Sequence, residues 1–323
     1  MITYDVFNGD ADGICALLQL RLATPCQSEL ITGIKRDINL LAKVNAAAGD
    51  KINVLDISLD KNRSELLRNL NNGAEIFYAD HHFSGEIPDH NNLFTVIDTQ
   101  ADICTSLIIN QYLKEHNKAR FPLWAITGAF GDNLNNSAEI LAEFCQVNKN
   151  DRNQLKSLGI YLNYNGYGAD MSDLHFAPEQ LFTQLLPYPN PLDFIQDSNS
   201  IFQALKSGYD DDKAHVTELK PEYKTDKVAL FILPNEAWAR RISGVYSNDL
   251  VNQFPDRAHA VLTKNSKNGY LVSVRAPLNN KTGADELCRQ FESGGGRKAA
   301  AGINHLPKSD LQTFINKLTR QFL

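Results

Sequence analysis

Cysteine is scarce in this chain. Its five cysteines (Cys15, Cys26, Cys104, Cys145, Cys288) are scattered over 323 residues, with no C-x-x-C pair. That argues against zinc ligands and a disulfide framework, and predicts reduced core thiols of a cytosolic protein. Long apolar runs are missing as well: none approaches the roughly 20 residues of a membrane span. The opening stretch Met1-Ile2-Thr3-Tyr4-Asp5-Val6-Phe7 reads as a strand and not as a leader. A cytoplasmic protein with no membrane partner is expected. No internal repeat or low-complexity tract is visible.

What is present begins with charge. The net charge is −6, but residues 226–323 hold 14 Lys+Arg against 8 Asp+Glu, while residues 1–225 hold 18 against 30. An acidic part followed by a basic part fits a metal-binding domain and an anion-binding domain. The boundary is expected between about 190 and 225. Pro187, Pro189 and Pro191 mark one side, Asp210-Asp211-Asp212 and Pro221 the other. The expected domains are 1–195, a linker over 196–225, and 226–323.

The first part repeats one pattern: a short apolar run that ends on an acid. Residues 2–7 lead to Asn8-Gly9-Asp10-Ala11-Asp12-Gly13 and an apolar helix from Ile14. Ile52-Asn53-Val54-Leu55 ends on Asp56. Ala74–Ala79 ends on Asp80-His81-His82, and Phe94–Ile97 on Asp98. Helical stretches alternate with these runs, which predicts a mostly parallel sheet with helices on both faces. In such sheets, ligands bind at the carboxyl ends of the strands. Asp-x-Asp-Gly alone is as easily a plain turn. A further apolar helix, Leu123–Phe130, ends at Gly131-Asp132-Asn133, where Asp132 is able to reach the same place.

Residues 139–205 look helical. Within them the Asn/Tyr/Gly-rich segment 162–168 offers two readings: a base-recognising loop using Asn163 and Tyr167, or a structural turn with its rings packed inward. The second part is a smaller α/β domain. Its strand Tyr270–Ala276 carries Arg275, and a helix with apolar Ala284, Leu287, Cys288 and Phe291 leads into Gly294-Gly295-Gly296-Arg297-Lys298. Three glycines are able to form an anion-binding nest beside Arg297, or a linker.

Asp10, Asp12, Asp56, Asp80, His81 and Asp132 thus fall toward one sheet edge. So many acids do not stay ionised together without cations. Oxygen ligands with an imidazole suit Mn²⁺ or Mg²⁺. Two such ions, about 3.5–4 Å apart, activate a bridging water for attack on a phosphoryl group. Arg275 and Arg297 would take a flanking phosphate, with His82 at the scissile group.

In order and spacing these motifs resemble the DHH phosphoesterase superfamily with its associated C-terminal domain. Asp10-x-Asp12-Gly13, Asp56, Asp80-His81-His82 and Asp132 resemble its four motifs. Arg275 and Gly294-Gly295-Gly296-Arg297 resemble its substrate-binding elements. The resemblance implies two lobes with a cleft between them and two Mn²⁺ ions bridged by Asp56. Asp10 would hold one ion; Asp12, His81 and Asp132 the other. Asp80 would ligate or orient a histidine. Two positions depart from the pattern: Val6 stands where many members have histidine, and Arg297 where histidine commonly follows the glycines. RecJ-type exonucleases are usually longer, and membrane-tethered cyclic dinucleotide phosphodiesterases carry extra domains. The expected activity is therefore that of a nano-RNase, cutting short linear dinucleotides such as pGpG to mononucleotides, with a homodimer as one allowed assembly. The alternatives are a single-strand exonuclease, a cyclic dinucleotide phosphodiesterase, and a non-catalytic nucleotide-binding protein.

Overall fold

A computed structural model describes residues 1–323. The chain divides into two compact units, Met1–Ser207 and Gly208–Leu323.

In the first unit the elements are β1 (Thr3–Phe7), α1 (Ala11–Ala23), β2 (Glu29–Ile31), β3 (Lys51–Leu55), α2 (Arg63–Asn71), β4 (Glu75–Asp80) and β5 (Leu93–Ile97). The helices α3 (Thr105–Glu115), α4 (Pro122–Gly131), α5 (Asn135–Phe144), α6 (Lys149–Asn165), α7 (Pro178–Leu185), α8 (Pro191–Gln196) and α9 (Phe202–Ala214) follow. The last of these lies within the stretch expected to be a linker and continues past Ser207 into the second unit. The five strands are all parallel, in the order β2-β1-β3-β4-β5. The alternating apolar runs form the sheet as expected. The short, partly exposed β2 gave no such signal.

Two features of this sheet position the site. The order reverses at β1, whose chain neighbours go to opposite sides, so a crevice opens beyond the carboxyl ends of β1 and β3. The three central strands also end level. Phe7 pairs with Leu55, and Leu55 with Ala79. Helix α1 is buried along most of its length, from Ala11 to Arg21, as an apolar helix enclosed on several sides should be. On the other face Tyr4, Val6, Leu40, Ile52, Val54, Leu66 and Tyr78 belong to one apolar cluster.

The second unit holds β6 (Tyr223–Lys224), β7 (Val228–Leu233), α10 (Ala237–Gln253), β8 (Ala258–Asn265), β9 (Gly269–Arg275), α11 (Ala284–Cys288), β10 (Gly294–Gly296), β11 (Ala300–Pro307) and α12 (Leu311–Gln321). Its sheet is mixed, in the order β10-β11-β9-β8-β7-β6, with β7 and β8 parallel and the other pairs antiparallel. Leu262, Val272, Val274, Ile303, Leu287 and Phe314 form its core. Helix α11 stops at Cys288, earlier than its apolar spacing predicts. No helix of the chain is long and apolar enough to cross a membrane.

Candidate metal centre

The carboxyl ends of β1, β3 and β4 deliver the acids. Asp10 caps α1, and its Oδ1 accepts the amides of Asp12 and Gly13 at 3.0 and 3.1 Å. An acid there is favoured by the helix dipole. Asp12, in the first turn, does the same for another helix: its two oxygens accept the amides of Thr105 and Ser106, at 2.7 and 2.8 Å, at the start of α3. Asp56 follows β3 directly with a left-handed backbone, φ +61°. That conformation is unusual for a residue other than glycine and clusters at functional sites. Its Oδ1 accepts the Thr105 hydroxyl at 3.1 Å.

Asp132 arrives from the end of α4. Gly131 permits this, because a Cβ there would lie 2.3 Å from that of Ala11 and 2.9 Å from the Gly159 carbonyl. Only a bare backbone lets α4 close onto α1 and α6 at this point.

His81 completes the cluster. Its Nδ1 lies 2.9 Å from the Ile103 carbonyl, an acceptor, so Nδ1 carries the hydrogen there and Nε2 is the ring nitrogen turned inward. That Nε2 is 3.3 Å from Asp56, 3.7 Å from Asp132 and 4.0 Å from Asp12. Donor atoms of Asp12, His81 and Asp132 lie close enough together to share an ion, as do those of Asp56, His81 and His82. The donors are oxygens with imidazole, a set suited to Mn²⁺ or Mg²⁺. Burial, then the negative charges of Asp12 and Asp10, push the Asp56 carboxyl well above the usual range. A cation relieves that strain.

Asp80 orients a histidine. Its Oδ1 is 2.7 Å from His82 Nδ1. Burial pushes the Asp80 carboxyl up, but the charge and hydrogen bond of His82 outweigh it and hold the group below its usual range. Its Oδ2 is buried without a partner. The His82 side chain is 31% exposed, whereas that of His81 is 2% exposed. Of the two imidazoles, His82 therefore faces outward.

Several side chains at the site carry no motif. Thr105 and Ser106 support the acids. More conspicuous is Lys35, whose ammonium contacts Asp10 and reaches Asn163 Oδ1 at 2.8 Å and Asp132 Oδ1 at 3.4 Å. It also lies 5.4 Å from the centre of the Tyr167 ring. Burial disfavours its charge, but Asp10 leads the groups that outweigh this, and the ammonium is held above its usual range.

Of the two readings of segment 162–168, a base-recognising loop and an inward-packed structural one, the structure agrees with the second. Asn163 lies inside α6, Asn163 and Tyr167 are both buried, and they surround Lys35. Val6 packs into the apolar cluster of β1.

The glycine run also differs from expectation. Gly294–Gly296 form no nest and no linker. They make the extended edge strand β10, paired to β11 as Gly294–Ile303, Gly295–Gly302 and Gly296–Ala301. Arg297 closes the hairpin, exchanging backbone hydrogen bonds with Ala300. Ala300 in turn pairs with Arg275 on β9. The two expected arginines thus come to one end of this sheet. The Arg275 guanidinium is braced by Asn248, 2.7 Å from its Nε.

No protein-family model matches this chain. No curated protein matches either. Solved structures do. RecJ with Mn²⁺ from Thermus thermophilus superposes with a TM-score of 0.58 at 14% identity, covering 98% of this chain and 51% of RecJ. This chain therefore spans about half of that protein. The pGpG-specific phosphodiesterase PggH from Vibrio cholerae gives 0.56 at 14% identity and covers 98% of both chains. An exopolyphosphatase-related protein from Bacteroides fragilis gives 0.52 at 14% identity, over 99% of this chain and 92% of that one. These likenesses show the fold: a parallel sheet whose level ends lead to Asp10, Asp56 and Asp80, followed in sequence by a second α/β unit, is the two-unit fold of RecJ and PggH, and this chain has it.

Proposed function

We propose that this protein is a divalent-metal-dependent phosphodiesterase that hydrolyses short linear dinucleotides, such as pGpG, to nucleoside monophosphates. The observation that carries this reading is His81 Nε2, held by Ile103 and aimed at three carboxylates within 4.0 Å. Such a pocket suits a cation better than any structural role. The near-complete mutual coverage with PggH supports a dinucleotide substrate over the long strands that a larger exonuclease handles.

A divalent ion held there lowers the pKa of water and offsets charge on a phosphoryl group. Asp12, Asp56, His81 and Asp132 are its proposed ligands. Thr105, Ser106 and the Ile103 carbonyl keep those ligands in place, as partners behind a metal ligand do. His82, oriented by Asp80 and facing outward, is placed to hydrogen-bond the scissile phosphoryl group or give a proton to its leaving oxygen. Arg275 and Arg297 are the proposed anion-binding groups of the second unit, Arg275 being preset by Asn248 for a forked contact.

The test is turnover by metal-stripped protein resupplied with Mn²⁺, on 5′-phosphorylated linear RNAs of two to seven nucleotides that include pGpG and pApA. Rates that peak at the dinucleotide and vanish in His81→Ala support the proposal. Flat rates across length indicate a general exonuclease. No turnover of any linear or cyclic substrate rejects the enzymatic reading.

A further inference from the structure

We infer that the Lys35 ammonium takes the place of a second metal ion, so that this protein holds one divalent cation per chain where its motifs imply two. The inference rests on the proposed divalent-cation site, and it changes what that site contains.

The donors that the motifs assign to the two ions are not equally available. Those of one ion, Asp12, His81 and Asp132, converge, and Asp56 joins them through His81. Asp10, assigned to the other ion, lies in neither close-set group of donors. One of its oxygens accepts two amides of α1, and the other meets Lys35. The histidine that would complete this second position is replaced by Val6, a member of an apolar cluster.

Lys35 fits this place as a built-in cation. An ammonium has three donors, and Asp10, Asn163 and Asp132 supply three acceptors. The backbone is fixed to match. The Lys35 amide donates to the Gly166 carbonyl at 2.8 Å, and its own carbonyl accepts from Asn8 Nδ2 at 3.3 Å. The turn before Asp10 presses on the same segment, since a Cβ on Gly9 would fall 1.9 Å from the Gly33 carbonyl. The lysine is thus anchored from the loop that carries Asp10 and from the end of α6. Like a metal ion, the ammonium offsets the charges of Asp10 and Asp132. Unlike one, it offers no empty orbital. Asp132, with Oδ1 toward Lys35 and Oδ2 toward His81, links the two cation positions.

Mn²⁺ binding to the full-length protein tests this without reference to activity. Equilibrium dialysis with metal analysis should count one Mn²⁺ per chain in the wild type, with the electron paramagnetic resonance signal of an isolated ion. Lys35→Gln should raise the count to two and give the exchange-coupled signal of an ion pair. Lys35→Arg, which keeps the charge, should stay at one. Two ions in the wild type would overturn the inference and leave the metal-site reading intact. A count of one in Lys35→Gln would also overturn it, because the lysine would then not be what excludes the second ion. No Mn²⁺ bound to the wild type would remove the metal-site reading and the inference with it. Should Lys35→Gln fail to fold, Lys35→Met, which also removes the charge, carries the same two outcomes.

Discussion

Asp5 and Asp10 belong to one β-turn-α unit, both are buried, and each faces a cation. Asp5 is a closed system. Arg21 meets both of its oxygens, Ser28 donates at 2.6 Å and Asn53 at 2.8 Å. Every direction around that carboxylate is used, and Arg21 is itself nearly buried. Asp10 sits among acids that outnumber the cations beside them, and its partner Lys35 is 22% exposed. A buried charge that is fully paired holds a fold together. One in a cluster short of positive charge is arranged for something that arrives later. The difference lies in what surrounds each acid, since the two residue types are identical.

The largest effect should come from breaking the closed pair. Arg21→Ala leaves Asp5 buried and uncompensated, and should cost about 3–5 kcal/mol. Denaturant unfolding at neutral pH would measure it. Protein that remains folded should keep its Mn²⁺ count, and a loss of metal would show that the two acids are not independent.

His259 sharpens the contrast from the second unit: it is fully buried, beside Phe254. Burial first, then the charge of Arg257, press its pKa down to about 4. A histidine kept neutral by folding takes up its proton more readily when unfolded. Its penalty is therefore absent above the ordinary value near 6.5 and grows as pH falls from there toward 4. The full loss is about 3 kcal/mol. His259→Leu should flatten that acid limb in a series of unfolding curves; an unchanged limb would assign it to other groups.

On the open side, His81→Ala removes a proposed ligand and should lower Mn²⁺-dependent turnover more than about 100-fold, beyond the 10- to 100-fold typical of an outer partner. Asp80→Asn should fall within that outer range, because it orients His82 and is not required to touch the ion. Equal losses in both variants would make Asp80 a ligand as well. Thermal melting in each case separates lost chemistry from lost fold.

The sheet and most of the cluster were legible in the sequence because one rule produced both. A short apolar strand that stops at an acid gives the element and the ligand together, and this happens after β1, β3 and β4. Asp132 was legible from the glycine that ends α4. Lys35 was not, because Gly33-Ile34-Lys35-Arg36 has no periodicity and its meaning comes from residues distant in sequence, such as Asn163 and Asp132. The segment 162–168 stayed open between two readings for a related reason. Tyr, Asn and Gly suggest a loop, but here they finish a helix: Asn163 is spent on that lysine, Tyr164 on His175 and Asn165 on the backbone of Phe176. Gly294–Gly296 misled because three glycines are compatible with a nest, a linker or an edge strand, and only the pairing with β11 selects among them.

The level ends of β1, β3 and β4 have a further consequence for motion. The amide of Asn8 donates to Leu55, that of Asp56 to Ala79, and that of Asp98 to Asp80, so each turn is tied to the last residues of the next strand. Asn8, Asp56 and Asp98 are thus each held to the neighbouring strand through their own amides. Those three amides should exchange with solvent hydrogen at the slow pace of the sheet interior. At Asp56 the rigidity of the sheet continues into a residue proposed to hold the cation.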